Sequence, residues 1–215
     1  MNYYLYMDFS ERDAFMMLGH ESGVVAYKTY AYEEDHAKHI LSSIDELLNA
    51  NKITLSSLKA IALMNGPGSY TGLRIALSTA KGFCYAFQIP LICFSKLDLM
   101  AQLQISKKDF MVCLLPARQG ESFACIYTAN GLKVDHPFVF LHEDFNKLEL
   151  KYSPEWRVVD NYQIADNQCI NDVLLNNQFI HSEILKAIQN RHFADVQSIE
   201  PFYIKQVHIN KINKL

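Results

Sequence analysis

The sequence predicts an α/β chain whose helices pack on a sheet and whose strand pattern begins twice. Three observations carry this. Residues 1 to 102 read βββαβα with a further strand after them, a meander followed by crossovers that return to a parallel sheet. Near residue 102 three strand-like segments begin again. In the first unit, strand and helix are joined by a glycine-rich turn, "NGPGSYTGLR", residues 65 to 74. The restart divides the chain into 1–102 and 103–215, a duplication at the level of structure without visible sequence identity.

The elements follow in order. Residues 3–8, 13–19 and 24–31 are rich in Tyr, Val, Phe and Met and are separated by polar turns, the spacing of a three-strand meander. In "YEEDHAKHILSSIDELLNA", Ala37, Ile40, Leu41, Ile44, Leu47 and Leu48 recur at helical spacing, and Glu33, Glu34 and Asp35 suit the positive end of a helix dipole. A strand at 60–64 leads into the glycine turn. A second helix is expected over Gly72–Phe87, closed by "QIP" before the apolar strand "LICF". Beyond 102, "DFMVCLLPARQGESFACIYTANGLKVDHPFVFL" reads as three strands turned at Gln119-Gly120 and Asn130-Gly131. A strand around 156–159 and a helix within 180–191 complete the pattern.

Composition narrows the function. Half of the 215 residues are apolar, enough for an ordinary core. The net charge of -3 and the lack of a concentrated basic stripe argue against nucleic-acid binding by this chain alone, because phosphate neutralisation needs clustered Lys and Arg. Cys84, Cys93, Cys113, Cys125 and Cys169 form no C-x-x-C pair and read as reduced core thiols of a cytoplasmic protein. The first residues, "MNYYLYMDFS", show no basic n-region or small-residue cleavage site, so no export signal is expected, and no apolar run approaches the roughly 18 residues of a membrane span.

The glycine turn allows several readings. Gly72 is followed by Leu73 and Arg74 where a P-loop needs lysine and a hydroxyl, and the glycines follow G-x-G-x-x-x-G rather than the dinucleotide spacing. What remains is a strand-to-helix turn in which Ser69 or Thr71 caps the helix, glycines tolerate positive φ, and free N–H groups attract an anion. Gly72, Ala76 and Ala80 form a row of small residues, and Ile75, Thr79 and Gly82 come near a second. Such rows let another helix approach closely, in the same core or in a partner. Leu73, Leu77, Phe83, Cys84 and Phe87 make the helix apolar nearly all round. Core packing, a partner interface and a ligand loop all stay open at this point.

Other candidates have plainer readings. His36 and His39 stand at i, i+3 but lack a third ligand nearby, which suits a solvated helix start. Ser69 and Thr71 lack the elbow and the ordered partners of a hydrolase nucleophile. Asp8 and Asp98 form a carboxylate pair only if the fold brings them together. Lys205, Lys211 and Lys214 give the tail weak steering for a phosphate backbone. Trp156 reads as a core residue of the second half.

The stretch "NGPGSYTGLRIALSTAKGFCYAFQIPLICFSKLDLMA" resembles the bacterial TsaB (YeaZ-like) family, the dimerisation subunit of the machinery that makes threonylcarbamoyladenosine in tRNA. "LLPARQGESFACIY" and "IEPFYIK" are similar to later family stretches. The chain departs from the family pattern at Phe9, at Ala37-Lys38 and at Pro116.

The resemblance implies an actin-like ATPase and sugar-kinase (ASKHA, ribonuclease H-like) fold with two related βββαβα halves. It also implies a subunit without chemistry of its own. The paralog TsaD carries a sequence like N-H-L-E-G-H, whose histidines hold the catalytic metal, where this chain reads Ser95-Lys96-Leu97-Asp98-Leu99-Met100. A cation and a thioether do not replace two imidazoles. Phe9 stands where a phosphate loop needs a small residue.

On this resemblance the helices at 33–50 and 72–87 form the interface with TsaD through Ile40, Ile44, Leu47, Gly68, Ser69, Tyr70, Thr71, Gly72, Arg74, Ile75, Ala76, Thr79, Ala80 and Phe83. Ala76→Arg or Ala80→Glu is then expected to abolish partner binding and leave the monomer folded. Neither catalytic residue, nor metal, nor cofactor is expected on this chain alone. ATP and metal belong to partner subunits, the TsaE ATPase and tRNA are reached through the complex, and a homodimer forms when the paralog is absent. The competing expectation is an active ATP- or metal-dependent transferase of the same fold, or a glycoprotease-type peptidase.

Overall fold

The computed structural model describes residues 2–31, 36–103, 110–144, 156–160 and 176–204, with the side chains of 36, 37 and 156–160 left aside. Two sheets carry the fold. The meander is β1 (Tyr3–Asp8), β2 (Ala14–His20) and β3 (Gly23–Tyr30), followed by helix α1 (His36–Ala50). Strand β4 (Leu58–Gly66), helix α2 (Tyr70–Phe87) and strand β5 (Leu91–Ser95) complete the first unit in the order β3-β2-β1-β4-β5. β1 pairs antiparallel with β2 and parallel with β4, placing Leu5 beside both Leu18 and Ile61.

The second sheet has the order β8-β7-β6-β9, built from β6 (Phe110–Pro116), β7 (Glu121–Thr128), β8 (Phe138–Leu141) and β9 (Trp156–Asp160). It repeats the first sheet's plan: an antiparallel meander whose first strand also takes a parallel neighbour, with Val112 beside Val158. The fold class expected from the sequence is therefore the one observed. Helix α3 (Lys96–Leu103) spans the join between the units, and helix α4 (Asn177–Gln189) follows the second sheet.

Alternation along the strands explains why the central ones read as unbroken apolar runs. Both of their faces are buried. Leu5 and Met7 of β1, with Ile61 and Leu63 of β4, pack against α1 and α2. Tyr4 and Tyr6, with Ala60, Ala62 and Met64, join a core that contains residues of α3, β6, β7 and α4. This second core is shared between the halves. The far face of the second sheet carries a smaller cluster around Val112, Leu114, Ile126 and Phe140.

The acidic start expected for α1 at 33–35 lies outside the described residues, and the helix is described from His36. Two details differ from expectation. α3 had no helical signal of its own in the sequence reading, and eight residues is too short for periodicity to show. Residues 194–204, which the sequence assigns to the second half, cross back onto the first: Ala194 N–H donates to Leu91 O at 2.8 Å, and Val196 and Ile199 pack against the α1/α2 core. The Trp156 side chain, Cys169 and the tail lysines fall outside the described side chains. None of the described helices is long and apolar enough to cross a membrane.

Candidate functional site

The glycine turn sits where β4 hands over to α2, against the hairpin turn after β1. Ser69 is the α2 N-cap, its Oγ accepting from Gly72 N–H at 3.3 Å. Ser69 N–H itself donates to Ser10 O at 2.7 Å. A Cβ on Gly68 would lie 2.4 Å from Ser10 O, and one on Gly72 would lie 2.0 Å from Phe9 O. The turn holds two backbones of the same chain together. Gly68 and Gly72 are needed for that approach and not for positive φ, which among the glycines of this turn only Gly66 adopts. The Ser69 and Gly72 N–H groups, two of the donors that a phosphate would seek, are already bonded within the chain.

The small-residue row, expected at the interface, faces inward. Gly72, Ala76 and Ala80 are buried, the alanines completely, and Ala76 and Ala80 share the core under the first sheet with Ile40, Ile44 and Leu47. Smallness here lets α2 settle onto its own sheet. Ile75, Thr79 and Phe83 are half-buried, as is Gly68. Ser69, Tyr70, Thr71 and Arg74 are exposed, and Tyr70, Arg74, Ser78, Gly82 and Tyr85 form one outward stripe at helical spacing.

Tyr70 and Arg74 are not loose surface groups. The Arg74 guanidinium carbon lies 4.0 Å from the centre of the Tyr70 ring, and its Nε donates to the Tyr203 hydroxyl at 2.8 Å. The Tyr70 and Tyr203 rings stack at 4.8 Å. Tyr203 arrives on the returning segment, pinned by Phe202 N–H to Asn65 O at 2.9 Å, Asn65 Nδ2 to Glu200 O at 2.9 Å, and Lys81 Nζ to the carbonyls of Gln197 and Ile199. Tyr203 was missed as a site residue although it stands in the "IEPFYIK" motif, because nothing local in a sequence links it to Arg74.

A second cluster joins α3 to the β1–β2 turn. Lys96, 5% exposed, donates through Nζ to Ser10 Oγ at 3.2 Å and pairs with Glu11. Ser10 Oγ donates to Asp8 Oδ1 at 2.6 Å, and Ser10 N–H reaches the same oxygen at 2.9 Å. Ser10 Oγ is thus a donor to the Asp8 carboxylate and an acceptor from the Lys96 ammonium. Met100 is buried in the core shared by the two halves, and the Phe9 ring lies in the α1/α2 core. Asp98 accepts from the Tyr127 hydroxyl at 2.6 Å and pairs with Lys133, so it and Asp8 serve different partners. His39 is exposed, and among the described residues no group of three or more His, Cys, Asp or Glu could hold a metal ion. Lys96 and Met100, an ammonium and a core thioether, do not make a ligand pair for an Fe or Zn ion.

A family model described as "TsaD: tRNA N6-adenosine threonylcarbamoyltransferase" matches residues 24–212. The chain is 27% identical over 202 residues to the tRNA threonylcarbamoyladenosine biosynthesis protein TsaB of Bacillus subtilis, covering 88% of this chain and 87% of that one. The chain belongs to the TsaB (YeaZ-like) branch of this family. The TsaB protein of Haemophilus influenzae is 27% identical over 150 residues, a match that covers 68% of this chain and 58% of the relative's length. A solved structure described as similar to peptidase YeaZ, from Pseudomonas aeruginosa, superposes with a TM-score of 0.72 at 21% identity over 95% of this chain and all of that one. At that identity the likeness bears on the fold alone, and it matches the two-sheet TsaB/YeaZ architecture described above.

Proposed function

We propose that this chain takes part in making threonylcarbamoyladenosine in tRNA as a non-catalytic subunit. It binds and activates a TsaD paralog for transfer of the threonylcarbamoyl group to the adenosine beside the anticodon. The observation that carries the reading is Lys96. Where the paralog's sequence is expected to present a metal-binding histidine, this chain buries an ammonium bonded to Ser10 and paired with Glu11. A fixed positive charge at that place repels a metal cation, and the second position, Met100, is built into the core. The bonded N–H groups of the glycine turn support the same reading for nucleotide phosphates.

In this reading ATP and metal reside in partner subunits, TsaE and tRNA meet this chain only through the complex, and two copies pair when the paralog is absent. The docking surface is the outward stripe of α2 from Tyr70 to Tyr85, in place of the buried alanine row. Its exposed tyrosines and its arginine have the composition of an interface.

An omission assay tests it. TsaD, TsaE, the adenylate-forming enzyme TsaC, unmodified tRNA, threonine, bicarbonate and ATP are combined with and without this chain, and modified nucleoside is counted by mass spectrometry. Product is expected only when the chain is present, while calorimetry with ATP and Mg and metal analysis of the chain alone give blanks. Equal product without the chain, or stoichiometric metal on the chain alone, would overturn the reading in favour of an active enzyme.

A further inference from the structure

We infer that Arg74 is a preorganised receptor for a carboxylate, an Asp or Glu side chain of the partner subunit, with Tyr203 as the residue that positions it; this rests on the docking reading above. The guanidinium carbon lies over the Tyr70 ring, 4.0 Å from its centre, and Nε donates to the Tyr203 hydroxyl. No described carboxylate pairs with it, whereas Lys28, Lys96, Lys133 and Lys186 each pair with a carboxylate within the chain. A planar fork held at its base by stacking and one hydrogen bond keeps its outer N–H groups in the geometry of a two-oxygen acceptor. The entropy of ordering a long side chain has already been lost on folding, so a partner need not supply it.

Carboxylate and phosphate both fit such a fork, and the surroundings favour a protein carboxylate. The outward stripe of α2 contains Tyr70, Ser78, Gly82 and Tyr85 and no second cation. The nearby Lys81 is turned onto the carbonyls of Gln197 and Ile199. Phosphate backbones are held by several cations together, whereas one arginine among tyrosines is the composition of a protein–protein hot spot.

The returning segment therefore has a role beyond closing the fold. It carries Tyr203 to the docking face from a position 129 residues further along the chain.

The test titrates purified TsaD with the full chain and its Arg74→Gln, Arg74→Lys and Tyr203→Phe forms by calorimetry at two salt concentrations, with melting curves as controls. Arg74→Gln is expected to weaken binding by roughly 30-fold or more and to flatten its salt dependence, as loss of one partner from an interfacial charge pair does. Arg74→Lys should lose nearly as much, because a point charge lacks the fork. Tyr203→Phe keeps the ring stack and loses the hydroxyl, and about a 3- to 10-fold weakening is expected with an unchanged melt. If the unaltered chain binds TsaD and Arg74→Gln binds equally well, the inference is wrong while the docking reading stands. If Arg74→Gln spares TsaD binding but reduces tRNA retention by the assembled complex, the anion is a phosphate and the carboxylate assignment is overturned. Failure of the unaltered chain to bind TsaD removes the docking reading and this inference with it.

Discussion

Gly72 lies so close to Phe9 that a methyl group on it would meet the Phe9 carbonyl oxygen at 2.0 Å. The obstacle is backbone on both sides, so neither residue can turn away as a flexible side chain would. Gly72→Ala is expected to destabilise the chain by about 3 kcal/mol, the upper range for overpacking in a core, even though alanine is the better helix former. Urea unfolding followed by circular dichroism reads the loss. A change within about 0.5 kcal/mol of zero would mean that the β1–β2 turn gives way easily.

The buried alanine row changes what substitutions on α2 report. Ala76 and Ala80 are wholly buried against the first sheet, so Ala76→Arg or Ala80→Glu places an unpaired charge in the core. Each should cost on the order of 4–5 kcal/mol or more and abolish the cooperative melt of the monomer. Lost partner binding in these variants would then report unfolding. A soluble, cooperatively melting Ala80→Glu chain would contradict the packing of α2 described above.

His181 of α4 shares a 2.7 Å hydrogen bond with the Tyr4 hydroxyl of β1, a polar contact inside the core that the two halves share. Burial lowers the His181 pKa from its usual 6.5, so the folded state prefers the neutral ring. Stability from this group is full above the unfolded value near 6.5, and it falls as pH drops below that value toward the depressed folded one. Denaturation midpoints measured between pH 8 and pH 5 should decline on the acid side, and His181→Gln should flatten part of that decline. His181→Leu, which offers no polar atom, should cost about 1–2 kcal/mol at pH 8 by leaving the Tyr4 hydroxyl without its partner. Parallel pH curves for the unaltered and His181→Gln chains would show that His181 does not titrate with unfolding.

Much of the fold was legible because the signals were local. The β1–β3 meander, the α1 stripe of Ile40, Ile44, Leu47 and Leu48, and the 65–74 turn each announce themselves within a few residues. The second sheet was legible from its turns at Gly120 and Gly131. α3 was not, since eight residues packed on strands from both halves show no clean period. In the site, a hydroxyl cap at Ser69 or Thr71 and a glycine-dependent turn could be read from spacing, but the choice of Ser69 and the neighbours of Gly68 and Gly72, Ser10 and Phe9, could not.

By itself the sequence determined the elements apart from α3, the two-part strand pattern, the family and the oddity of Lys96 and Met100 at one short stretch. Only the tertiary structure decided which way α2 faces, what Lys96 bonds and what holds Arg74. α2 is apolar nearly all round, so its periodicity is compatible with several inward faces, and contact with Phe9 and the sheet selects one. Lys96 meets Ser10 across 86 residues and Arg74 meets Tyr203 across 129. Contacts at such separations are set by how the elements pack, and local pattern holds no record of them.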